Sequence, residues 1–203
     1  KLIGVQHSTL NFWFMSYFDN PKNSLKSSFN KLPKPDIIAI NGQHALQILK
    51  NANQKNDLFR KSEAIRYQYL LELKKRKKQN IKVKNENKIL ILGDIIQANT
   101  ERMLDIILPV IKEENSNYKV IFKAHPQNKI RLDNKFNSFV TVSESDLYEL
   151  ILETNLVICS GNTSSALECN YIGLNVISYL DNHNLNSSPL RGNENVHFFS
   201  NKE

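Results

Sequence analysis

The chain has 203 residues, of which 40% are hydrophobic and 23% are charged, a composition typical of a globular protein with a sizeable core in one large domain or two small ones. No apolar run approaches the roughly 20 residues that a membrane-spanning helix needs, and the first residues lack the pattern of a secretory signal. Because the sequence opens on KLIGVQHS, which has the character of an internal strand and no initiator Met, we expect that an N-terminal portion precedes it.

Basic residues outnumber acidic ones by 27 to 20, and part of the excess lies in KKRKK at 74–78. Such a run could contact anionic lipid head groups or nucleic acid. Charge runs are usually solvated, so we interpret this one as a solvated helix end and linker.

The only cysteines, Cys159 and Cys169, have no metal-ligand spacing, and we predict that both are buried thiols in a reducing compartment.

The first part of the chain has short apolar segments separated by polar stretches. Strands are predicted at 2–5 and 36–40, and the second runs into QHALQILK, whose apolar spacing is that of a helix. A long helix is predicted from about residue 62 to 78. The polar stretch at 79–87 is the best domain boundary, so we assign residues 1–84 to one domain and 85–203 to another.

The second part alternates regularly between strands and helices. The predicted strands are 88–94, 118–126, 139–143, 155–160 and 175–180. The predicted helices are 100–115, which Pro109 should kink or split, 145–153 with Ser145 as N-cap, and 163–172 closed by Gly173. Continuous apolar strands between helices predict a doubly wound parallel α/β sheet covered on both faces.

In an open parallel sheet, ligands bind beyond the carboxyl ends of the strands. This rule selects residues at the carboxyl ends of three of the predicted strands. They are Gly93, Asp94, Lys123, His125, Pro126, Gly161, Asn162, Thr163, Ser164 and Ser165.

The stretch 161–165 passes from a strand to a helix through a glycine and hydroxyl side chains. Free N–H groups and the positive end of the helix dipole favour an anion there. Ser164 and Glu168 are one helical turn apart, about 6 Å between Cβ atoms, so a hydroxyl for phosphate and a carboxylate for ribose would suit a nucleotide. The alternative is that Asn162 or Thr163 simply caps the helix and Glu168 is solvated.

His125 follows Lys123 by two residues, which would place both side chains on one side of the strand. Such a pair could stabilise phosphate charge as a leaving group departs. The alternative is a hydrogen-bonded structural histidine.

No GxGxxG follows a strand and no P-loop motif occurs, which weighs against NAD and P-loop enzymes. Asp-x-Asp, the usual mark of a metal-bound diphosphate, is also missing, and we predict no metal site.

These motifs, taken together, resemble a known family. KAHP at 123–126, CSGNTSSALE at 159–168 and YIGLNVISY at 171–179 are similar to the C-terminal donor domain of GT-B-fold glycosyltransferases. The likeness is greatest to bacterial surface-carbohydrate and capsule enzymes with cytidine-activated donors, including polysialyltransferases, capsule Kdo transferases and CDP-glycerol glycerophosphotransferases. VQHSTLNFW, EAIRY and LNSSPLRG resemble surface carbohydrate proteins of the lipopolysaccharide type.

The resemblance implies a role for several positions. His125, Ser164 and Ser165 would hold the donor phosphate, and Glu168 would bind ribose. His7 resembles the histidine of the glycerophosphotransferase HGT motif, where it is the proposed base, although Ser8 replaces the glycine here. Sialyltransferase-like relatives use an acidic base instead.

The implied protein is a metal-independent glycosyltransferase without a cofactor, in which residues 1–84 finish the acceptor-side domain and 85–203 bind the nucleotide-activated sugar. Its partners would be that donor and a glycan or lipid-linked acceptor. We expect it in the cytoplasm, with a peripheral contact to the inner membrane. The alternatives are a glycerophosphotransferase, a nucleotide-sugar epimerase, a basic nucleic-acid-binding module, and a truncated inactive protein.

Overall fold

The computed structural model describes residues 1–10, 17–18, 35–54, 56–80, 87–114, 117–128, 130, 132, 136–161 and 163–200. The chain divides into two compact units, Lys1–Arg66 and Tyr67–Glu203. The aromatic-rich loop that begins at residue 11 lies almost wholly outside the described residues.

The first unit is built on a three-stranded parallel sheet. Its strands, in the spatial order β1-β2-β3, are β1 (Ile3–Val5), β2 (Ile37–Asn41) and β3 (Phe59–Ser62). Helix α1 (Gly42–Asn51) follows β2 directly, and Ala45 and Leu49 pack from it onto the buried Ile40. The two predicted strands and this helix are confirmed, whereas β3 was not predicted.

The prediction of a long helix from residue 62 is wrong for the first third of that helix. Residues 59–62 form β3, a 3-10 turn covers Ile65–Tyr67, and helix α2 runs only over Tyr69–Asn80. Leu70 and Leu73 of α2 belong to a core of the second unit. The compact units therefore divide at residue 66, and not at the polar stretch near residue 84, because the apolar face of α2 packs into the core of the second unit.

The second unit is a six-stranded sheet in which all pairings are parallel, in the order β6-β5-β4-β7-β8-β9. Its strands are β4 (Lys88–Leu92), β5 (Lys119–Lys123), β6 (Val140–Val142), β7 (Leu156–Ser160), β8 (Asn175–Tyr179) and β9 (Val196–Phe199). Its other helices are α3 (Gln97–Glu113), α4 (Leu147–Glu153) and α5 (Ser165–Tyr171). The chain builds outward from β4 to β6, then returns beside β4 with β7, which is the Rossmann-type order with its switch point between β4 and β7.

The sheet is buried on both faces, as the apolar strands predicted. One core lies under α2, α4 and α5, and a second lies under α3, where Met103 and Leu108 are fully buried. Cys159 and Cys169 are free and buried, as expected, and burial raises the pKa of the Cys159 thiol to about 12. The predicted doubly wound parallel α/β class is confirmed.

Several boundaries differ from expectation. Helix α3 runs without a break through Pro109. Asp146, and not Ser145, caps α4, because its carboxylate accepts the Tyr148 N–H at 2.8 Å. Gly173 ends the α5 region with a φ of +95°, as the sequence predicted for a closing glycine. Strand β9 was not predicted.

The basic run at 74–78 is only partly a solvated surface. The Lys77 ammonium donates to the carbonyls of Ile151 (3.1 Å), Leu152 (3.0 Å) and Thr154 at the end of α4. Carbonyls at a helix C-terminus lack partners within the helix and attract a cation. Lys75, Arg76 and Lys78 are exposed.

Replacing Lys77 by Met keeps the aliphatic stem and removes the ammonium. We expect Lys77→Met to lower the free energy of unfolding by about 1–2 kcal/mol, because the last carbonyls of α4 lose a charged donor. The matched control Lys78→Met should stay within about 0.5 kcal/mol of the wild type. Urea unfolding of both variants measures the difference, and equal stabilities would show that Lys77 is as solvated as its neighbours.

Candidate functional site

The carboxyl ends of β4, β5 and β7 meet around Gly93, at the switch point of the sheet. The Gly93 N–H donates to the Lys123 carbonyl at 2.9 Å, and a Cβ on Gly93 would lie 3.0 Å from the His125 nitrogen. On the other side, the Thr163 hydroxyl donates to the Gly93 carbonyl at 3.4 Å. The structure therefore brings the His-Pro turn and the hydroxyl-rich turn to opposite sides of one glycine.

The imidazole of His125 is fixed by its own turn. Its Nδ1 lies 3.3 Å from the Gln127 backbone nitrogen, and the Asn128 N–H donates to the His125 carbonyl at 2.8 Å. A ring nitrogen that accepts an N–H is unprotonated, so in the neutral ring the proton sits on Nε2. The half-buried His125 is thereby a hydrogen-bond donor through Nε2, and Pro126 beside it is exposed.

Lys123 and His125 do not project from one side of a strand, although the sequence suggested that they would. Strand β5 ends at Lys123, so the alternation of a strand does not continue to His125. The Lys123 ammonium donates to the Ser145 carbonyl at 2.7 Å, in the segment before α4. This lysine therefore ties the end of β5 to the beginning of α4.

The hydroxyl-rich turn combines close packing with one exposed hydroxyl. Gly161 suits this close approach, because a Cβ there would lie 3.1 Å from the Tyr179 carbonyl oxygen. Thr163 is buried, whereas Ser164 is exposed at the N-cap of α5 and makes no side-chain capping bond. Ser165 is half-buried, and Asn162 lies outside the described residues.

Asp94 is fully buried, and protein donors surround its carboxylate. Its carboxylate accepts the Ile96 N–H at 2.9 Å, the Asn99 amide at 3.2 Å and the Ser160 hydroxyl. The Thr100 hydroxyl accepts the Asp94 N–H at 2.7 Å. Asp94 therefore joins the ends of β4 and β7 to the beginning of α3, and any effect on a ligand would be indirect.

Glu168 is buried, not solvated, and faces α2. The Tyr69 hydroxyl hydrogen-bonds Glu168 and Tyr148, and the Tyr69 and Tyr148 ring centroids are 4.8 Å apart. Burial is the main cause that raises the pKa of Tyr69, and these bonds raise it further, so the hydroxyl remains neutral. Glu168 therefore has a partner that the spacing to Ser164 could not reveal, because Tyr69 is almost 100 residues away in sequence.

A second polar network, which sequence reasoning missed, follows β8. Asp181 accepts the His183 N–H at 2.9 Å and the Asn184 amide at 3.1 Å, and it pairs with Arg102. The bond from His183, together with Arg102, holds the pKa of Asp181 below its usual value despite burial. Arg102 also donates to Asn99 at 2.9 Å, which connects this network to Asp94. Nothing local marks Asp181 in the sequence, since its cation is on α3.

A small cavity opens beside this network, between the ends of β7 and β8. Gly161, Asp181 and Asn184 are among its lining residues, and His125 and Ser164 are not. Its volume of about 20 Å³ is enough for one water-sized polar group. Among the described residues, no group of three or more His, Cys, Asp or Glu side chains is arranged to hold a metal ion.

His7 lies in the first unit, at the carboxyl end of β1, and is exposed. Its neighbour Gln6 is buried and connects the strand ends: the Gln6 amide oxygen accepts the Asn41 N–H at 2.9 Å, and the Asn41 amide donates to the Gln6 carbonyl at 2.8 Å. Ser62 donates in turn to the Asn41 side chain at 3.2 Å. The local backbone that carries His7 is therefore held by all three strands of its sheet.

No protein-family model matches the sequence, and a search of curated proteins finds no match. Solved structures do share the fold. UDP-GlcNAc 2-epimerase from Methanocaldococcus jannaschii, in complex with UDP-GlcNAc and UDP, has a TM-score of 0.54 at 14% identity, over 89% of this chain and 68% of that one. A glycosyltransferase from Rickettsia africae ESF-5 has a TM-score of 0.50 at 13% identity, over 99% of this chain and 56% of that one.

The wall teichoic acid polymerase TagF also matches, with a TM-score of 0.48 at 11% identity, over 82% of this chain and 46% of that one. The chain thus spans about half the length of two of these proteins. Identities this low show the fold alone, and the fold of the first two is of the GT-B, Rossmann-like type that the sequence predicted.

The Asp181 network gives a pH-dependent contribution to stability. Since the folded-state pKa of Asp181 lies below the usual aspartate value of 3.8, the stabilisation is present above pH 3.8 and is lost as pH falls through the folded pKa. We expect Asp181→Asn to cost on the order of 1 kcal/mol at pH 7, because Arg102 loses its carboxylate. The cost should shrink below pH 3.8. Urea titrations of wild type and variant between about pH 7 and pH 3 measure it, and a constant difference would contradict the assignment.

Proposed function

We propose that this chain belongs to a GT-B-type glycosyltransferase whose second unit binds a nucleotide-activated sugar and delivers the sugar to a cell-surface glycan precursor. The observation that supports this most is the meeting of the His-Pro turn and the hydroxyl-rich turn on either side of Gly93. Doubly wound sheets bind nucleotides at this place, where the strand order reverses. Two solved nucleotide-sugar or glycosyl-transfer enzymes with the same fold support the reaction class.

The donor phosphate would lie against His125 and the hydroxyls of Ser164 and Ser165. The Nε2–H of His125 is a donor whose orientation is set by the bond that Nδ1 accepts from Gln127. Ser164 is exposed, and its hydroxyl is not engaged in capping the helix. Donors aimed at the phosphate oxygens stabilise the charge that develops on them as the glycosidic bond breaks. Since the sequence has no Asp-x-Asp motif, we assign this stabilisation to the chain's own donors and not to a metal.

The backbone around the phosphate would be shaped by Gly93, Gly161 and Thr163. Asp94 would hold that backbone in place through its hydrogen bonds. The Lys123 ammonium donates to the Ser145 carbonyl before α4, and its charge would add to the positive field near the phosphate. Glu168, with Tyr69 as its partner, is the candidate for the ribose hydroxyls. The preference for cytidine rests on the resemblance of the 123–126 and 159–168 motifs to cytidine-dependent enzymes.

His7 is the candidate general base. A neutral imidazole can take the proton of an attacking sugar hydroxyl near pH 7. His7 is exposed at the carboxyl end of a strand, on a backbone that Gln6 and Asn41 hold in place. The proton would move from the acceptor hydroxyl to the ring while the acceptor oxygen attacks the anomeric carbon and the nucleotide leaves.

Lys75, Arg76 and Lys78 form the exposed part of the basic run, and we assign to them a peripheral contact with anionic lipid head groups. No helix among the described residues is both long and apolar enough to cross a membrane. A lipid-linked acceptor and a cytoplasmic enzyme at the inner membrane would fit such a contact. The sugar nucleotide acts as co-substrate, and no separate cofactor is proposed.

An epimerase of nucleotide sugars is the second candidate, since a solved epimerase has the same fold. An epimerase inverts one carbon of the sugar, yields a nucleotide sugar as product and needs no acceptor. A transferase releases nucleotide when an acceptor is present. Incubation with labelled UDP- and CMP-sugars, with and without a glycan acceptor, separates these outcomes by product chromatography.

Nucleotide binding tests the proposal. We expect cytidine mono- or diphosphate to raise the thermal unfolding temperature, and His125→Ala and Ser164→Ala each to weaken binding by about tenfold or more through loss of a charge-assisted hydrogen bond. Gln127→Ala, which removes an exposed side chain from the same turn and keeps the backbone N–H, serves as control. A stabilisation shared equally by all nucleotides would overturn the cytidine assignment, and full binding by both variants would overturn the site.

For His7, we expect a separation of binding from turnover. His7→Ala should leave the dissociation constant for the nucleotide unchanged and reduce kcat by about 10²–10⁴-fold, the usual effect of removing a general base. His44→Ala, which changes an exposed histidine on α1, is the matched control. Wild-type turnover in His7→Ala would exclude this base and favour an acidic one.

A further inference from the structure

We infer that Asn128 is the positioning residue that holds His125 against the phosphate site. This inference rests on the proposed phosphate role of His125. The amide nitrogen of Asn128 lies 2.8 Å from the Asp94 carbonyl oxygen and 2.6 Å from the Ile95 carbonyl oxygen. Both partners are acceptors, so only the NH₂ group of the amide can face them, and both of its hydrogens are used.

The backbone of Asn128 holds the other end of the same turn. Its N–H donates to the His125 carbonyl at 2.8 Å, which closes a β-turn with Pro126 in the second position, where its fixed φ is favoured. Within this turn Gln127 donates its N–H to Nδ1 of the imidazole. Asn128 therefore contacts the His-Pro turn through its backbone and the β4–α3 loop through its side chain.

The loop that the Asn128 side chain contacts is itself held by hydrogen bonds. The Asp94 carboxylate accepts the Ile96 N–H, and it is fully buried among Asn99 and Ser160. Gly93, which precedes Asp94, is also close to the turn, since a Cβ on it would lie 3.0 Å from the His125 nitrogen. The Asn128 amide adds two hydrogen bonds between the turn and the loop. We expect these bonds to set the direction in which Nε2 of His125 points.

Loss of the Asn128 amide should affect orientation more than stability. The hydrogen bond to the Ile95 carbonyl is exposed, so water can replace the amide there. The turn, by contrast, would lose its second attachment, and the weak 3.3 Å bond that selects the imidazole tautomer depends on the turn's shape. We therefore expect nucleotide affinity and tautomer to change while the fold persists.

The experiment compares Asn128→Ala and Asn128→Asp with the control Gln127→Ala, which leaves the backbone N–H of Gln127 in place. Long-range ¹H–¹⁵N NMR of the histidine ring reports the tautomer, with the His125 signals assigned by their loss in His125→Ala. Calorimetry with CDP and pyrophosphate measures affinity, and thermal unfolding measures stability. In Asn128→Asp the carboxylate faces two carbonyls, so it should impair the site at least as much as Asn128→Ala.

The wild type and Gln127→Ala should show His125 protonated on Nε2. Asn128→Ala and Asn128→Asp should show a mixture of tautomers and an affinity for CDP lower by about tenfold, the effect of one misplaced hydrogen bond. An unchanged tautomer in both Asn128 variants overturns the inference, as does an equal loss of affinity in Gln127→Ala. If the wild type binds neither CDP nor pyrophosphate, the proposed function fails, while the tautomer still decides whether Asn128 orients His125. Should Asn128→Ala not fold, Asn128→Ser provides the same comparison with a smaller perturbation.

Discussion

A buried carboxylate at the switch point of the sheet organises the second unit. Asp94 is fully buried, and burial of a charge is costly unless hydrogen bonds surround it. Here the partners come from the N-terminal turn of α3 and from Ser160 at the end of β7. The sheet grows outward from β4 in both directions, so this one side chain fastens together the two halves of the fold at the point where a ligand would enter.

The candidate site depends on that arrangement. Next to the anchored Asp94, Gly93 approaches the backbone of His125 on one side and the hydroxyl of Thr163 on the other. Ser164 remains exposed beside them. The side chains that would meet a ligand are thus few, and most of the polar residues nearby bond to each other. This is illustrated by a series of side chains in which each bonds to the next: Ser160, Asp94, Asn99, Arg102 and Asp181.

The net positive charge has a partly structural explanation. Lys77 donates to carbonyls at the end of α4, Lys123 donates to the Ser145 carbonyl, and the buried Lys88 pairs with Glu153 at 2.7 Å. These ammonium groups stabilise helix ends and loops within the second unit. A partner with negative charge would therefore meet only part of the 27 basic residues.

The sequence was most informative where periodicity was strong. The apolar strands β4, β5, β7 and β8 and the fold class were predictable because burial on both faces leaves a continuous apolar run. Strand β3, FRKS, was not, since three of its four residues are polar and only Phe59 is buried. The motif residues His125 and Ser164 were visible as strand-end positions, but Asn128, Tyr69 and Asp181 gain their roles from partners far away in sequence. Local patterns cannot report such contacts.

We place the donor phosphate where the ends of β4, β5 and β7 meet. A crystal structure of the chain with CDP at saturating concentration would locate it. Phosphate oxygens should lie within hydrogen-bond distance of His125 Nε2 and the Ser164 hydroxyl, next to Gly161. A nucleotide bound elsewhere on the second unit, with His125 and Ser164 both in contact with solvent alone, would contradict it.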